Sequence, residues 1–138
     1  MINRIEHIGI AVKDIKESNI LFEKLLGTPH YKIEDVASEG IKTSFFKTGT
    51  SKIELLEATH QDSPIAKFIN KKGEGIHHIA FEVDDIVAEI KRLQKEGFMV
   101  LNEFPKKGAD NKRVAFLHPK STNGVLIELC EETNNNEK

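Results

Sequence analysis

The strongest constraint on the fold is a strand-like segment that occurs twice in the chain. Residues 5–15 (IEHIGIAVKDI) recur as residues 76–86 (IHHIAFEVDDI), with six of the eleven positions identical. In both copies, large apolar residues alternate with other residues, which is the period of a half-buried β-strand. An aspartate suited to capping a helix follows each strand at the same place, Asp14 and Asp85. The simplest explanation is the duplication of one structural unit.

Each copy of the segment starts a similar series of predicted elements. Apolar spacing after the aspartates predicts an amphipathic helix in both copies, ending near Gly27 and Gly97. We expect the apolar stripes to consist of Ile15, Leu21, Phe22, Leu25 and Leu26 in the first helix and Ile86, Ile90 and Leu93 in the second. Three more strands are predicted behind each helix, at 30–37, 41–48 and 52–58 and at 98–104, 112–118 and 124–131. The sequence therefore predicts an α+β fold made of two β-α-β-β-β modules.

The two modules should belong to one domain, residues 1–132. Its expected parts are the repeats 4–58 and 75–131, a connector helix 63–73 and, beyond the domain, a disordered tail 133–138. The connector is predicted because Ser63 and Pro64 are typical of a helix N-cap and first turn. The tail is predicted because it is polar and has nothing to bury.

Composition excludes some classes of partner. The chain has 20 basic and 22 acidic residues and a formal charge of −2, so its overall charge gives no reason to bind nucleic acid or an anionic membrane. It also contains no apolar run long enough to span a bilayer. The single cysteine, Cys130, cannot form an internal disulfide, and we therefore expect a cytoplasmic protein.

Two histidines occupy equivalent places in the repeated strand. His7 shares its strand face with Gly9 and Ala11, and His78 shares its face with Ala80. These small neighbours leave open space over each imidazole. We interpret the two faces as walls of a cavity.

A second repeated motif adds one carboxylate to each module. The sequence Ile-Glu-Leu occurs at 53–55 and at 127–129, which places Glu54 and Glu128 in equivalent strands. Their apolar neighbours should cover the core, so both carboxylates should face the same cavity as the histidines. Two halves related by a pseudo-two-fold axis would bring all four groups together.

Two imidazoles and two carboxylates suit a borderline divalent cation such as Zn²⁺, Co²⁺, Ni²⁺, Mn²⁺ or Fe²⁺. The predicted ligands are His7, Glu54, His78 and Glu128. The repeat also selects between two adjacent histidines. His77 aligns with Glu6 and shares the face of core residues, whereas His78 aligns with His7, so we expect His78 to be the ligand.

This layout resembles the glyoxalase and extradiol dioxygenase superfamily, the vicinal oxygen chelate fold, in which paired modules form a cupped mixed sheet around a metal. Within it, several separated blocks resemble the methylmalonyl-CoA epimerase family: ELLE at 54–57, DSPIAKF at 62–68, GIHHIA at 75–80, FLHPK at 116–120 and GVLIEL at 124–129. By matching position, that family's metal ligands fall on His7, His78 and Glu128, and the fourth, a glutamine in some members, falls on Glu54.

The resemblance implies an epimerase that interconverts (2R)- and (2S)-methylmalonyl-CoA by removing and returning the proton at carbon 2. The enolate would be chelated by a divalent metal, Co²⁺, Zn²⁺, Ni²⁺ or Mn²⁺. Glu128 is expected to be one general base. The counterpart of a second base proposed in that family is Thr43, which cannot take a proton, so Glu54, a water or Glu39 would serve. A homodimer is also expected from the resemblance.

An acyl-CoA substrate carries several negative charges. A cluster of basic residues with only Asp110 against it could bind them: Lys106, Lys107, Lys112, Arg113 and Lys120. A solvated loop with lysines that favour solubility is an equally good interpretation of the same cluster.

Three other functions are compatible with the fold. A lactoylglutathione lyase of the glyoxalase I type has a glutamate where Glu54 stands, but arginine occurs here only at 4, 92 and 113, so the first half lacks an obvious clamp for glutathione. An extradiol-type dioxygenase would need Fe²⁺ on two histidines and one carboxylate. A non-catalytic ligand-binding protein would have no reason to keep four metal ligands.

Overall fold

The structure is a computed structural model and describes residues 1–133. The chain divides into two compact units. The first unit is His7–His77, and the second consists of Met1–Glu6 and the chain from His78 onward. The predicted tail, 133–138, lies outside the described residues except for Thr133. The grouping of two repeats into one domain stays a prediction.

The first unit contains the first predicted β-α-β-β-β module and the connector helix. Its elements are β1 (Ile2–Ala11, from His7), α1 (Ile15–Leu26), β2 (Lys32–Val36), a short 3-10 helix (Ala37–Glu39), β3 (Ile41–Thr48), β4 (Ser51–Ala58) and α2 (Pro64–Lys72). The strand order is β2-β3-β4-β1. Neighbouring strands β2, β3 and β4 are antiparallel, and β1 is parallel to β4. This part of the sequence prediction is confirmed.

The second unit contains the second module. Its elements are β5 (Gly75–Val83, from His78), α3 (Ile86–Lys95), β6 (Lys106–Lys107), β7 (Lys112–Leu117) and β8 (Ile127–Glu132), with short 3-10 helices at Ala109–Asn111 and Pro119–Ser121. The order is β5-β8-β7-β6, with β5 parallel to β8 and the other pairs antiparallel. Among the described residues, no helix is long and apolar enough to cross a membrane.

The strand predicted at 98–104 is wrong. Only Val100 makes an isolated bridge there, to Leu117. The side chain of Asn102 replaces a strand carbonyl by accepting a hydrogen bond from the Phe116 backbone N–H at 2.9 Å. Pro105, which cannot donate a backbone hydrogen bond, then ends the segment. The regular edge strand, β6, is only two residues long and lies between the predicted strands 98–104 and 112–118.

The predicted helix starts are confirmed. Asp14 accepts hydrogen bonds from the backbone N–H groups of the first turn of α1, and Asp85 accepts one in α3. Ser63 caps α2 in the same way, with Pro64 at its first position. Gly27 ends α1 with φ of +73°, a conformation that glycine adopts without strain.

The apolar stripe of α1 differs from the prediction. Leu21 and Leu25 are 62% and 70% exposed, whereas Asn19 is buried and accepts a 2.6 Å hydrogen bond from the hydroxyl of Ser44. The buried stripe contains residues 15, 19, 22 and 26, which is the spacing of one face of a helix. The predicted set was too wide for that face.

In each unit, a hydrophobic core covers one face of the strands. In the first unit, Phe46 and Leu55 pack against Ile15. In the second unit, Leu129 packs against the apolar stripe predicted for α3, which is buried and thereby confirmed. On the other face of the first unit, Ile65 of α2 packs on Ala11 and covers only one end. The remainder of that face carries His7 and Glu54.

Candidate active site

In the first unit, strand register places Glu54 on the face opposite the helix core. Gly9, Glu54, Phe45 and Lys32 are successive Cα partners across β1, β4, β3 and β2. Directly paired residues put their side chains on the same face, and His7 shares that face because it lies two positions before Gly9. Gly9, the direct partner of Glu54, adds no side chain to this face.

His7 and Glu54 form a buried pair. His7 Nδ1 lies 3.1 Å from Glu54 Oε2, and each residue is 4% exposed. This separation fits a hydrogen bond. It also fits two ligands of one metal ion, because atoms bound to an ion at 2.0–2.2 Å lie about 3.0–3.5 Å apart. The pair therefore has the donor types and the spacing of half a divalent-metal site.

The second unit repeats this arrangement. Phe116, Glu128 and Ala80 are successive Cα partners across β7, β8 and β5, and His78 lies two positions before Ala80 on the same face. His78 Nε2 is 3.3 Å from Glu128 Oε1, and both residues are buried. Each unit thus contains one of the two predicted histidines paired with one of the two predicted glutamates.

His77 has a different environment from His78. Its ring packs edge-on against Phe68 of α2, with the centroids 5.0 Å apart. Burial of the imidazole, together with the positive charge of Lys72, lowers the pKa of His77 to about 4. His77 is therefore neutral near pH 7 and serves as a packing residue, which agrees with the choice of His78 as the ligand.

Sequence reasoning missed two phenylalanines that border these pairs. Phe45 lies directly opposite Glu54, and Phe116 lies directly opposite Glu128. The Phe116 ring also meets the His78 ring edge-on, at 6.2 Å and 84°. The two phenylalanines are 71 positions apart, the same offset that separates the two histidines. This shared offset was the signal that could have found them.

The residues considered for the second base, and Thr43 at the position of that base in the related family, lie at separate places in the first unit. Thr43 is 1% exposed and shares the face of Glu54. Glu39 precedes β3, whose first residue is four positions from Phe45, or about 13 Å along the strand. The residue directly opposite Thr43 on β2 is Glu34, a carboxylate on this face that sequence reasoning also missed.

Strand register also separates the predicted basic cluster. Lys106 pairs with Val114, which lies two positions before Phe116, so Lys106 is on the face of Glu128. Lys107 pairs with Arg113 on the opposite face. Lys112 is on the face of Glu128 as well. Lys120 lies apart from β6 and β7, exposed in a 3-10 helix.

Lys112 and Arg113 of this cluster form ion pairs with acidic residues of β8. Lys112 is buried, with Nζ 3.7 Å from Glu132 Oε1. Arg113 Nη1 is 3.2 Å from Glu131 Oε2. The predicted patch is therefore less positive than its composition indicates.

A buried acidic residue lies beside the first histidine in the sequence. Glu6 is 1% exposed, and its Oε2 is 3.9 Å from Arg4 Nη2. Arg4 also donates two hydrogen bonds to Glu82, at 3.0 and 3.3 Å. The hydrogen bonding and charge of Glu82 raise the pKa of Arg4 above its usual value, so the guanidinium is a permanent cation in this group.

Comparison with protein families identifies the fold. The family model of the Glyoxalase/Bleomycin resistance protein/Dioxygenase superfamily matches residues 6–116. The chain belongs to this superfamily. The predicted α+β fold class, with its two β-α-β-β-β modules, is thereby confirmed.

Relatives within the superfamily include epimerases. The ethylmalonyl-CoA/methylmalonyl-CoA epimerase of Cereibacter sphaeroides is 42% identical over 94% of this chain and 98% of its own length. An uncharacterized protein of Bacillus subtilis is 41% identical over 94% of this chain and 92% of its own. Streptomyces coelicolor methylmalonyl-CoA epimerase, solved in complex with 2-nitronate-propionyl-CoA, has a TM-score of 0.92 at 34% identity, covering 96% of both chains. The predicted relationship to methylmalonyl-CoA epimerases is confirmed.

Proposed function

We propose that the protein is a methylmalonyl-CoA epimerase, which interconverts (2R)- and (2S)-methylmalonyl-CoA. The observation that carries the proposal is the buried His–Glu pair found at equivalent positions of both repeats. Relatives of nearly full length that are named as epimerases of acyl-CoA thioesters support the same reaction. The substrate is a small acyl group on a large anionic carrier.

The ligands that we propose for one divalent cation, Co²⁺, Zn²⁺, Ni²⁺ or Mn²⁺, are His7, Glu54, His78 and Glu128. Two imidazoles and two carboxylates fit such ions, and each pair has the spacing of ligands that share an ion. When bound, the cation supplies a Lewis acid that stabilises negative charge developing on the substrate oxygens. The positive charge of the ion would also offset the burial of two carboxylates.

The chain itself supplies the proton transfers. Glu128 would take the proton from carbon 2 on one side of the acyl group, as a general base held in place by strand β8. Glu54, starting as the protonated acid, would give its proton to the opposite side, which inverts the configuration at carbon 2. Exchange with solvent water would then remove the proton from Glu128 and return one to Glu54. Phe116 borders Glu128 and would restrict the access of water to the reacting carbon.

The test of this function begins with metal analysis of the purified protein, followed by incubation with (2S)-methylmalonyl-CoA in deuterated water. An epimerase should form the (2R) isomer and incorporate deuterium at carbon 2, and a chelator should stop both. Formation of lactoylglutathione from methylglyoxal and glutathione, without epimerisation, would support glyoxalase I instead. Metal-free protein that binds ligands without turnover would support a binding protein.

Two further features belong to this proposal. We expect a homodimer, on the basis of the family resemblance, and a cytoplasmic location, on the basis of one cysteine in the whole chain. Light scattering coupled to size-exclusion chromatography measures the first. Fractionation of the source cells measures the second.

A further inference from the structure

We propose that Lys106 binds an anionic oxygen of the substrate at the edge of the His78–Glu128 pair. The inference rests on the proposed function, because it takes an acyl-CoA as the substrate. It assigns a specific role to one residue among five basic candidates. The others are distinguished from it by strand register, by burial or by position.

Strand register places Lys106 on the reacting face. Lys106, Val114 and Cys130 are successive Cα partners across β6, β7 and β8. Phe116 and Glu128 are the partners two residues further along the same two strands. Side chains two positions apart on a strand share a face, so Lys106 and Glu128 project to the same side of the sheet.

A ring contact directs the lysine toward the site. Lys106 Nζ lies 5.7 Å from the centroid of Phe116, within the range of a cation–π interaction. The same ring meets His78 edge-on at 6.2 Å. One aromatic ring therefore contacts both the ammonium group and the imidazole. Lys106 is exposed to solvent.

The other cations of this hairpin are less suitable. Lys107 projects from the opposite face with Arg113. Lys112 is on the same face as Lys106, but it is buried. Lys106 therefore combines the correct face with an exposed charge.

The repeat does not account for Lys106. The position equivalent to Val114 in the first module is Thr43, because Phe45 and Phe116 occupy equivalent places. The partner of Thr43 on the outer strand is Glu34, so an acid stands where the second module has a base. The proposed metal ligands follow the duplication, whereas this pair of outer residues differs in charge. A substrate with two unlike ends needs such a difference.

The ligand of Lys106 would be an oxyanion, and an acyl-CoA offers two kinds. One is the carboxylate of the methylmalonyl group, and the other is a phosphate of CoA. Both bind an ammonium group through a charge-assisted hydrogen bond. A thioester of methylmalonate with pantetheine keeps the carboxylate and lacks the phosphates, so it distinguishes the two.

The experiment compares Lys106→Met with Lys107→Met, a matched change of the adjacent lysine on the other face. With methylmalonyl-CoA, we expect the KM of the first variant to rise about tenfold or more and that of the second to stay within about twofold. A rise with the pantetheine thioester as well would assign the carboxylate, and a rise with the CoA ester alone would assign a phosphate. Equal KM values for both variants with both substrates would overturn the proposal.

Calorimetric binding of malonyl-CoA tests Lys106 without turnover. Lys106→Met should weaken binding, and Lys106→Arg should retain most of it because the cation is kept. Wild-type protein that binds malonyl-CoA through Lys106 but does not epimerise would contradict only the proposed function. Epimerising protein whose variants at 106 and 107 bind equally would contradict only this inference. Circular dichroism melting checks that each variant is folded.

Discussion

Phe116 lies directly opposite Glu128 on the neighbouring antiparallel strand, just as Phe45 lies opposite Glu54. The two phenylalanines have equivalent places in the repeat but unequal burial. Phe45 is fully buried, whereas Phe116 is only partly buried. Both rings therefore border a proposed reacting carboxylate, but only the ring of Phe45 is closed off from solvent.

This difference in burial predicts that substitution by alanine lowers mainly stability at Phe45 and mainly activity at Phe116. Phe45→Ala should lower the free energy of unfolding by about 3–5 kcal/mol, because it leaves a cavity in a buried site. Phe116→Ala should cost less stability but reduce kcat, because water then reaches Glu128. Urea unfolding and steady-state kinetics measure the two effects. Equal losses of stability at both positions would contradict the assignment.

Glu128→Gln tests the first general base. The amide keeps the shape of the side chain but cannot accept the proton, so exchange of the carbon-2 proton should fall by about 100-fold or more. Glu132→Gln, on the same strand face, is the matched control and should exchange normally. Proton exchange in deuterated water, followed by mass spectrometry, gives the rates. Undiminished exchange in Glu128→Gln would remove this residue from the mechanism.

The second base is tested by comparing Glu54→Gln with Glu34→Gln. If Glu54 acts on the opposite side of the acyl group, its replacement should slow proton removal from one enantiomer and spare the other. Glu34→Gln should then exchange both enantiomers at the wild-type rate. Single-enantiomer substrates and metal analysis of each variant separate a lost base from a lost ligand. The reverse pattern would assign the role to Glu34, the residue opposite Thr43.

Much of the site could be predicted because the repeat preserves spacing. His7 and His78 are separated by the same number of positions as the two copies of the repeated strand. In the structure, each of them is paired with a glutamate, as predicted. The caps at Asp14 and Asp85 could be predicted because a short polar side chain before an apolar helix has a specific hydrogen-bonding role. Local chemistry was sufficient in both cases.

Other features depend on tertiary register and could not be read locally. The faces of Lys106 and Lys107 follow from their pairing with β7, and a two-residue strand has no alternation that would reveal it. The segment 98–104 has an apolar composition, but the backbone N–H of Phe116 donates its hydrogen bond to the side chain of Asn102 and not to a strand carbonyl. Leu21 is apolar but exposed, because the face of α1 that packs on the core is the one that carries Ile15 and Asn19.

Adjacent histidines provide a controlled test of the metal site. His78→Ala should reduce the metal content of the purified protein, because it removes a proposed ligand beside Glu128. His77→Ala should retain the metal and lose some stability, because it removes the packing against Phe68. Metal content after dialysis, measured by mass spectrometry, distinguishes them. Loss of metal in His77→Ala alone would reverse the choice between the two histidines.

Glu89 should make stability depend on pH. This buried carboxylate accepts hydrogen bonds from Arg92 and lies 2.7 Å from the amino group of Met1. The hydrogen bonds from Arg92 and the adjacent positive charges lower the pKa of Glu89 below its usual 4.5, so the folded state favours the ionised form. Its stabilising effect is therefore complete above pH 4.5 and is lost as the pH falls through the lower folded value.

The measurement compares the melting temperatures of Glu89→Gln and wild-type protein at several pH values. The variant should melt at a lower temperature at pH 7, and the difference should shrink as acid protonates the wild-type carboxylate. Glu96→Gln, at an exposed position at the end of the same helix, should melt like wild type throughout. A difference that stays constant or grows toward low pH would show that the ionised form of Glu89 does not stabilise the fold.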